Sequence, residues 1–172
     1  MIHPYNGVFP KIHPTAFVEA SAHVVGDVEV GEESSIWFNV VIRGDVNRIQ
    51  IGRGSNIQDG TVLHVNREGS PTSVGDYVTV GHAVRLHGCT IGSHCLIGIG
   101  AIVLDGVVLE EECLVAAGSL VAPGTKVPKG SLLMGAPAEV TRQVTKEDLA
   151  LIHRSAQGYI RLRADYIASV GR

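Results

Sequence analysis

Large aliphatic residues recur every six positions through most of the chain, with short interruptions of the phase. They are Ile12, Val18, Val24, Val30, Ile36 and Ile42, then Ile51, Ile57 and Leu63, then Val74, Val80 and Leu86, and finally Ile91 and each sixth residue up to Leu133. A small or β-branched residue usually follows four positions later, as at Ala16, Ala22, Ser55 and Cys95. A fixed short period indicates repeated units that bury their apolar faces against one another.

The period of six predicts a parallel β-solenoid in which each hexad supplies one short strand and one corner. The aliphatic side chain points inward, the small residue fits the corner, and successive coils stack at about 4.8 Å. The repeat ends near residues 134–138, and Thr145 to Asp148 then have the pattern of a helix N-cap with an acidic first turn. An apolar stripe follows at Leu149, Ile152, Ala156, Ile160 and Ile167.

We therefore predict an all-β solenoid over residues 1–140 and a C-terminal segment, 141–172, within a single domain. That segment is expected to hold one α-helix from about residue 146 to 168. The helix packs either along one side of the solenoid or on a neighbouring subunit.

Composition and charge exclude several classes of function. The chain has 172 residues, 21 glycines, 5% aromatic residues and a formal net charge of −3. The basic residues do not cluster as they do in nucleic-acid-binding proteins. Three cysteines are too few for a disulfide framework, no apolar run is long enough to span a bilayer, and the first ten residues do not resemble a signal peptide. We expect a cytoplasmic protein that binds neither nucleic acid nor a membrane.

The register of the repeat relates three of the eight histidines. His64 and His87 each directly follow an aliphatic position of the same solenoid face, so both point outward, one coil apart. His82 comes two residues after an aliphatic position of another face, from which it reaches such a pair only in a neighbouring chain. Three histidines with an open coordination position are typical of catalytic zinc. The register therefore predicts a homotrimer with a shared metal site at each interface.

Other polar residues fall into the same columns of the repeat. Arg43 lies one coil below His64, and Asp59 lies one coil below His82 with Gln58 beside it. We expect Arg43 to pair with Asp45 or Asp59 and to hold the interface together. Gln58 is expected to orient water or hydroxide on the metal. An alternative interpretation is that the three charged residues serve only as structural ion pairs.

Some residues invite a simpler interpretation. Cys95 and Cys113 occupy the corner position of the repeat, so we expect them to be core fillers. Cys89, two residues after a histidine, is expected to fill a turn. Trp37 directly follows an inward aliphatic residue and should point outward, where we expect it to anchor an interface.

Several motifs in order resemble the γ-class carbonic anhydrase family. They are Arg43-Gly44-Asp45-Val46-Asn47, Asn56-Ile57-Gln58-Asp59-Gly60, His64, Gly81-His82 and Leu86-His87-Gly88-Cys89. The resemblance covers nearly the whole chain. It implies a left-handed β-helix, a homotrimer, and zinc, iron or cobalt held by His64 and His87 of one subunit and His82 of the next.

The resemblance also implies roles for other residues and a reaction. Arg43, Asp45, Gln58 and Asp59 match the family's site and interface positions, and Tyr159 matches a tyrosine that reaches the site from the C-terminal helix. The implied reaction is the reversible hydration of carbon dioxide to bicarbonate by a metal-bound hydroxide.

The chain departs from the best-known type of this family in its acidic residues. That type carries acidic residues just after the Arg-Gly-Asp segment and in a longer loop after the first ligand. This chain has Val46 at the former place and, in its loop of residues 66–73, only Glu68. It resembles the shorter branch of the family, whose members are often weak or inactive in carbon dioxide hydration.

Three alternatives therefore stay open at this point. The first is a metal-binding homologue that serves as an assembly subunit. The second is a metal-dependent hydrolase of small thioesters or other acyl compounds. The third is a hexapeptide acyltransferase, which shares the fold and the interface site but needs one catalytic histidine and no metal.

Overall fold

A computed structural model describes residues 1–169 of the chain. Residues 170–172, the end of the C-terminal segment predicted above, lie outside the described residues. The strands are β1 (Ile2–His3), β2 (Lys11–Ile12), β3 (Phe17–Val18), β4 (His23–Val30), β5 (Ser35–Ile36), β6 (Val41–Ile51), β7 (Asn56–Ile57), β8 (Val62–His64), β9 (Thr72–Val74), β10 (Thr79–Val80), β11 (Arg85–His87), β12 (Thr90–Ile91), β13 (Leu96–Ile97), β14 (Ile102–Val103), β15 (Val108–Leu109), β16 (Leu114–Val115), β17 (Leu120–Val121), β18 (Lys126–Val127), β19 (Ser131–Gly135) and β20 (Ala138–Gln143). The helix α1 spans Lys146–Ser169, close to the predicted range of 146 to 168.

The strands stack as a parallel β-solenoid of about seven turns, which confirms the fold predicted from the period of six. Each strand pairs with the strand one coil away, so the inward aliphatic residues form columns. In one column Ile57 pairs with Val80 and Val80 with Ile97. All three are completely buried. The repeat thus determines which residues are neighbours along the solenoid axis.

Three faces surround the core. Face one is built from the first part of β6 with β8, β11, β14 and β17, and face two from the last part of β6 with β9, β12, β15 and β18. Face three is built from β3, β5, β7, β10, β13, β16 and β19, and the antiparallel strand β20 extends it. Strand β6 turns the corner between faces one and two, because Ile42 pairs with Leu63 while Ile51 pairs with Val74.

The core is narrow and filled by Val, Ile and Leu side chains, with Cys95 and Cys113 at corners. Both thiols are completely buried, as expected of corner fillers, and Cys89 is also buried in the core. Burial raises the pKa of the Cys89 thiol to about 12. A thiol in this state is a poor nucleophile.

Helix α1 covers face three of the same chain. Its first turn is closed by a reciprocal cap, in which the Asp148 amide donates to Thr145 Oγ1 at 3.2 Å and the Thr145 amide donates to Asp148 Oδ2 at 2.8 Å. Two of its own residues, Ile152 and Ala156, are buried against the solenoid. Among residues 1–169, no helix is both long and apolar enough to cross a membrane.

Trp37 differs from the expectation stated above. It points outward from face three, but only 3% of it is exposed, because α1 lies over it. Its ring lies 5.5 Å from the ring of Tyr159 and 5.0 Å from that of Tyr166, both on α1. The expectation of an intersubunit anchor was wrong, since the residue anchors the chain's own helix. A helix more than a hundred residues later in the chain covers this position, and no local pattern around Trp37 reveals that.

The outer surfaces of faces one and two differ in character. On face one the outward positions of successive coils are Val41, Val62, Arg85, Ile102 and Leu120. The four aliphatic residues are only half-buried, because α1 packs on β5, β7 and β10 of face three instead. On face two the corresponding positions are Gln50, Ser73, Thr90, Val108 and Lys126, which are mostly polar. Within residues 1–169, face one therefore presents an uncovered aliphatic stripe.

Candidate metal centre

His64 and His87 lie side by side at the edge of face one. Strands β8 and β11 pair in register, so His87 lies directly beside His64 one coil away, as the repeat predicts. Nδ1 of His64 is 3.2 Å from Nε2 of His87. Both rings are partly exposed at the surface of the solenoid.

A carboxylate holds the other nitrogen of each ring. Asp45 Oδ1 is 3.0 Å from His64 Nε2, and Asp105 Oδ1 is 2.8 Å from His87 Nδ1. An ionised carboxylate can only accept hydrogen bonds, so the ring N–H faces the carboxylate in both cases. When both rings are neutral, His64 Nδ1 and His87 Nε2 are then the nitrogens with lone pairs available to a metal.

The spacing of these two nitrogens fits a tetrahedral metal. Zinc–nitrogen bonds of about 2.0–2.1 Å at tetrahedral angles place two ligand nitrogens about 3.3–3.4 Å apart. The observed separation of 3.2 Å is close to that value. Histidines that bind metals usually donate their second nitrogen to a carboxylate or a carbonyl oxygen, as both residues do here. Imidazole ligands suit zinc, iron and cobalt alike.

His82 occupies the corner that leads from face three to face one. It follows β10, and Asp59 follows β7 at the same offset one coil away, because Ile57 pairs with Val80. His82 Nδ1 lies 2.8 Å from Asp59 Oδ2, which leaves Nε2 free to bind a metal. The next residue, Ala83, has a positive φ of 57°, and its amide donates to the Asp59 carbonyl at 2.8 Å. This corner keeps the two side chains in one column.

One chain does not bring all three histidines together. Within residues 1–169, no group of three or more His, Cys, Asp or Glu side chains could hold a metal. His64, His87, Asp45 and Arg43 form one cluster at face one, and His82 with Asp59 forms another at a different corner. A single chain thus holds its outward histidines in two separate clusters.

Arg43 forms an ion pair with Asp45, which is one of the two partners expected from the sequence. Partial burial acts to raise the pKa of Asp45, but hydrogen bonds from His64 and Arg43 outweigh it and hold the pKa below its ordinary value. Asp45 therefore stays ionised and links the arginine to the histidine. Nearly half of the Arg43 side chain is exposed, so its guanidinium also faces solvent.

Gln58 is held in a buried chain of hydrogen bonds beneath α1. Its Nε2 donates to Asn56 Oδ1 at 3.0 Å, and Asn56 Nδ2 donates to Thr79 Oγ1 at 3.0 Å. Thr79 Oγ1 in turn donates to Ser155 Oγ on the helix at 3.0 Å. Because the amide nitrogen of Gln58 is engaged, its Oε1 is the end that can accept a further hydrogen bond.

Tyr159 lies on α1 above Trp37. Burial and the negative charge of Asp59 raise the pKa of its hydroxyl, so Tyr159 stays protonated. The helix thus places Tyr159 on face three, against the Trp37 ring.

Two residues of the His87 surroundings were missed in the sequence analysis. Asp105 follows β14 and accepts from His87, and Asn66 Nδ2 donates to the same carboxylate oxygen at 2.8 Å. A signal for Asp105 was present, since it stands two residues after the inward Val103, the offset at which Asp59 follows Ile57. Asn66 had no such signal, because it lies in the loop where the repeat is interrupted.

Comparison with known proteins identifies the family. The model for "Bacterial transferase hexapeptide (six repeats)" matches residues 9–44 and 88–123. Protein YrdA of Escherichia coli K12 is 45% identical over 173 residues, which cover 97% of this chain and 94% of that protein. A carbonic anhydrase of Geobacillus kaustophilus is 46% identical over 160 residues, covering 93% and 87% of the two chains. The chain belongs to the γ-class carbonic anhydrase family.

Solved structures agree with this assignment of fold. The crystal structure of a hexapeptide transferase family protein from Anaplasma phagocytophilum superposes with a TM-score of 0.92 at 43% identity, covering 96% of this chain and 97% of that one. The solenoid of this γ-class protein is accordingly a left-handed β-helix of hexapeptide repeats. The same hexapeptide fold also serves proteins named as transferases, so the fold alone does not define the reaction.

Proposed function

We propose that this protein is a metal-dependent carbonic anhydrase that reversibly hydrates carbon dioxide to bicarbonate at the interfaces of a cytoplasmic homotrimer. One observation carries the proposal: each of His64, His87 and His82 has one ring nitrogen within 3.0 Å of a carboxylate oxygen. Solvated surface histidines have no need of such partners, whereas metal ligands commonly have them. Zinc is the metal we propose, and iron or cobalt would fit the same ligands.

The aliphatic stripe on face one supports the homotrimer. Helix α1 covers face three and face two is mostly polar, so face one is the surface best suited to bury apolar area against another copy of the chain. The His64–His87 pair lies at one edge of this face, and His82 lies at the corner of the opposite edge. Packing face one of each chain against its neighbour around a threefold axis would bring His82 to the neighbour's pair.

The residues around the proposed metal centre have distinct roles in holding its ligands and orienting water. A bound metal would supply water activation near neutral pH. Asp45 and Asp105 fix the rings of His64 and His87, and Arg43 holds Asp45 in place. We assign Gln58, with its oxygen free, to orienting the attacking water by accepting a hydrogen bond.

Asp59 and Tyr159 have the remaining roles that we assign, on the side of the site that carries His82. Asp59 Oδ2 lies 2.8 Å from Nδ1 of His82, so Nε2 is the ring nitrogen that remains to bind a metal. Tyr159 stays protonated because burial and Asp59 raise its pKa, so its hydroxyl can donate a hydrogen bond at the interface. Its place on α1 ties the position of the helix to the proposed site.

Proton transfer to solvent is the step for which this chain has the fewest groups. Glu68 is the only acidic residue of the loop after His64, and it is exposed. We therefore expect hydration to be limited by proton removal and to speed up as the concentration of a small buffer base rises. The same scarcity keeps a metal-binding homologue with little hydratase activity as the nearest alternative.

An acyltransferase is the second candidate function, favoured by the similarity to a solved hexapeptide transferase. That chemistry needs one histidine as a general base and no metal. It gives no reason for three histidines that each carry a carboxylate partner.

Three free, buried cysteines are consistent with the proposed cytoplasmic location, since disulfides are rare there.

Metal analysis followed by stopped-flow carbon dioxide hydration tests the proposal. Protein purified without oxygen should contain about one metal per chain, and hydration should follow the metal content. His87→Ala should lose both, while the matched control His94→Ala, which changes a histidine at a different corner, should lose neither. Metal without hydration would redirect the search to acyl substrates, and protein that binds no metal would refute the proposal.

A further inference from the structure

Asp105 sits beside His87 because the neighbouring residue is glycine. Gly88 has a positive φ of 54°, and a Cβ at this position would collide with Oδ1 of Asp105. Asp105 itself lies one coil away, where the Gly106 amide donates to the Gly88 carbonyl at 2.8 Å. The backbone of two coils thus leaves a space that fits this carboxylate next to the histidine ring.

The loop between β8 and β9, residues 65–71, reaches the same carboxylate. Asn66 Nδ2 donates to Asp105 Oδ1 at 2.8 Å, and His87 Nδ1 lies 2.8 Å from that same oxygen. Two donors on one oxygen restrict the rotation of the carboxylate more than one donor would. The orientation of the His87 ring therefore depends on a residue of the loop.

The loop is in turn fixed to both histidine strands. Asn47 Nδ2 donates to the carbonyl oxygens of Asn66 and Gly69, at 3.2 and 3.0 Å. Thr72, directly after the loop, donates through Oγ1 to the His64 carbonyl at 2.8 Å and accepts from the Gly88 amide at 2.9 Å. Hydrogen bonds thus connect the end of the loop to the backbone of both histidine strands, and through Asp105 the loop also reaches the His87 ring.

We propose that Asp105 is a positioning residue for His87 and that Asn66 positions Asp105, so that loop 65–71 sets the metal affinity of the centre. This inference rests on the proposed function of the histidines as metal ligands. The two rings are held differently: Asp45, beside His64, is held by the guanidinium of Arg43, whereas Asp105, beside His87, is held by a loop amide. A change in the loop therefore alters one ligand and leaves the other in place.

Zinc affinity measured by competition with a chromophoric chelator tests this on the intact trimer at fixed pH. Asp105→Ala should weaken zinc binding about 10- to 100-fold, as losses of such supporting groups usually do. Asn66→Ala should weaken it about fivefold, the effect of one lost hydrogen bond. The double variant should bind no more weakly than Asp105→Ala alone, because Asn66 acts through Asp105.

Three controls separate positioning from a general loss of structure. Glu68→Ala changes an exposed residue of the same loop and keeps the bond from Asn66 to Asp105, so its zinc affinity should match that of the wild type. Asp105→Asn keeps an oxygen that accepts from His87 and should recover part of the affinity. The thermal midpoint of each metal-free variant should stay at the wild-type value, since Asp105 is nearly half exposed.

The outcomes distinguish this inference from the proposed function. Wild-type protein that binds zinc, together with an Asp105→Ala variant of equal affinity, would refute the positioning role and leave the metal centre intact. Additive losses in the double variant would refute the route through Asn66. Wild-type protein without zinc affinity would refute the proposed function itself.

Discussion

Mixing two inactive variants should rebuild metal sites if the ligands come from different chains. His64 and His87 approach within 3.2 Å in one chain, whereas His82 lies at another corner, and residues 1–169 of one chain hold no complete site. We expect the His64→Ala and His82→Ala trimers each to lack all three sites. A mixed trimer regains a site wherever an intact pair meets an intact His82 of the adjacent chain.

The size of the recovery follows from the symmetry of the trimer. With equal amounts and random reassembly, the chance that a given interface has the His82→Ala chain on the pair side is about one half. The chance that it has the His64→Ala chain on the other side is also about one half. About a quarter of all sites should therefore be intact, and bound zinc per chain should reach about a quarter of the wild-type value.

The assay is unfolding, mixing, refolding and metal analysis of the trimer fraction. Mixing His87→Ala with His82→Ala should give the same quarter, because His87 belongs to the pair side. Mixing His64→Ala with His87→Ala should restore no site, since both ligands come from one chain. No recovery in the first two mixtures, with trimers intact, would refute the shared site; recovery in the third would refute the pairing of His64 with His87.

Three further predictions concern assembly and stability. Ile102→Glu places a charge in the aliphatic stripe of face one and should shift the trimer to monomers in analytical ultracentrifugation, while Val108→Glu, one strand later on face two, should not. Trp37→Ala should destabilise the chain by about 3–5 kcal/mol in urea unfolding, because its ring is buried beneath α1; an effect below about 1 kcal/mol would contradict that packing. Hydrogen bonding to Arg142 lowers the pKa of Asp148 from 3.8 to about 2, so its stabilising effect is complete above about pH 4 and is lost as the pH falls through 2. Asp148→Asn should remove that part of the acid dependence of the thermal midpoint, and an unchanged dependence would refute it.

The sequence alone determined the solenoid and the stacking of its columns. A coil has a nearly constant length, so the phase of the aliphatic residues fixes which residue lies above which. This is why the pairing of His64 with His87, and of Asp59 with His82, could be predicted without coordinates. The end of the repeat and the cap at Thr145 likewise located the helix to within a residue or two.

The tertiary structure decided which polar side chains meet across coils. Asp45 contacts His64 one coil away and Arg43 on its own strand, and both contacts depend on rotamers and on the corner geometry. Asn66 reaches Asp105 because the loop folds back over the coil, and its path is not subject to the period. A repeat specifies backbone register, whereas side-chain partners beyond a column depend on local space.

The packing of helix α1 on face three was also determined by the tertiary structure. The sequence left open whether α1 would pack on its own solenoid or on a neighbour, and it gave Trp37 the same outward direction in either case. The structure places α1 on its own chain, over Trp37, and thereby leaves face one with the uncovered aliphatic stripe. Periodicity fixes contacts between adjacent coils, but the docking of a helix depends on the shape and polarity of whole surfaces, which form only once the solenoid has folded.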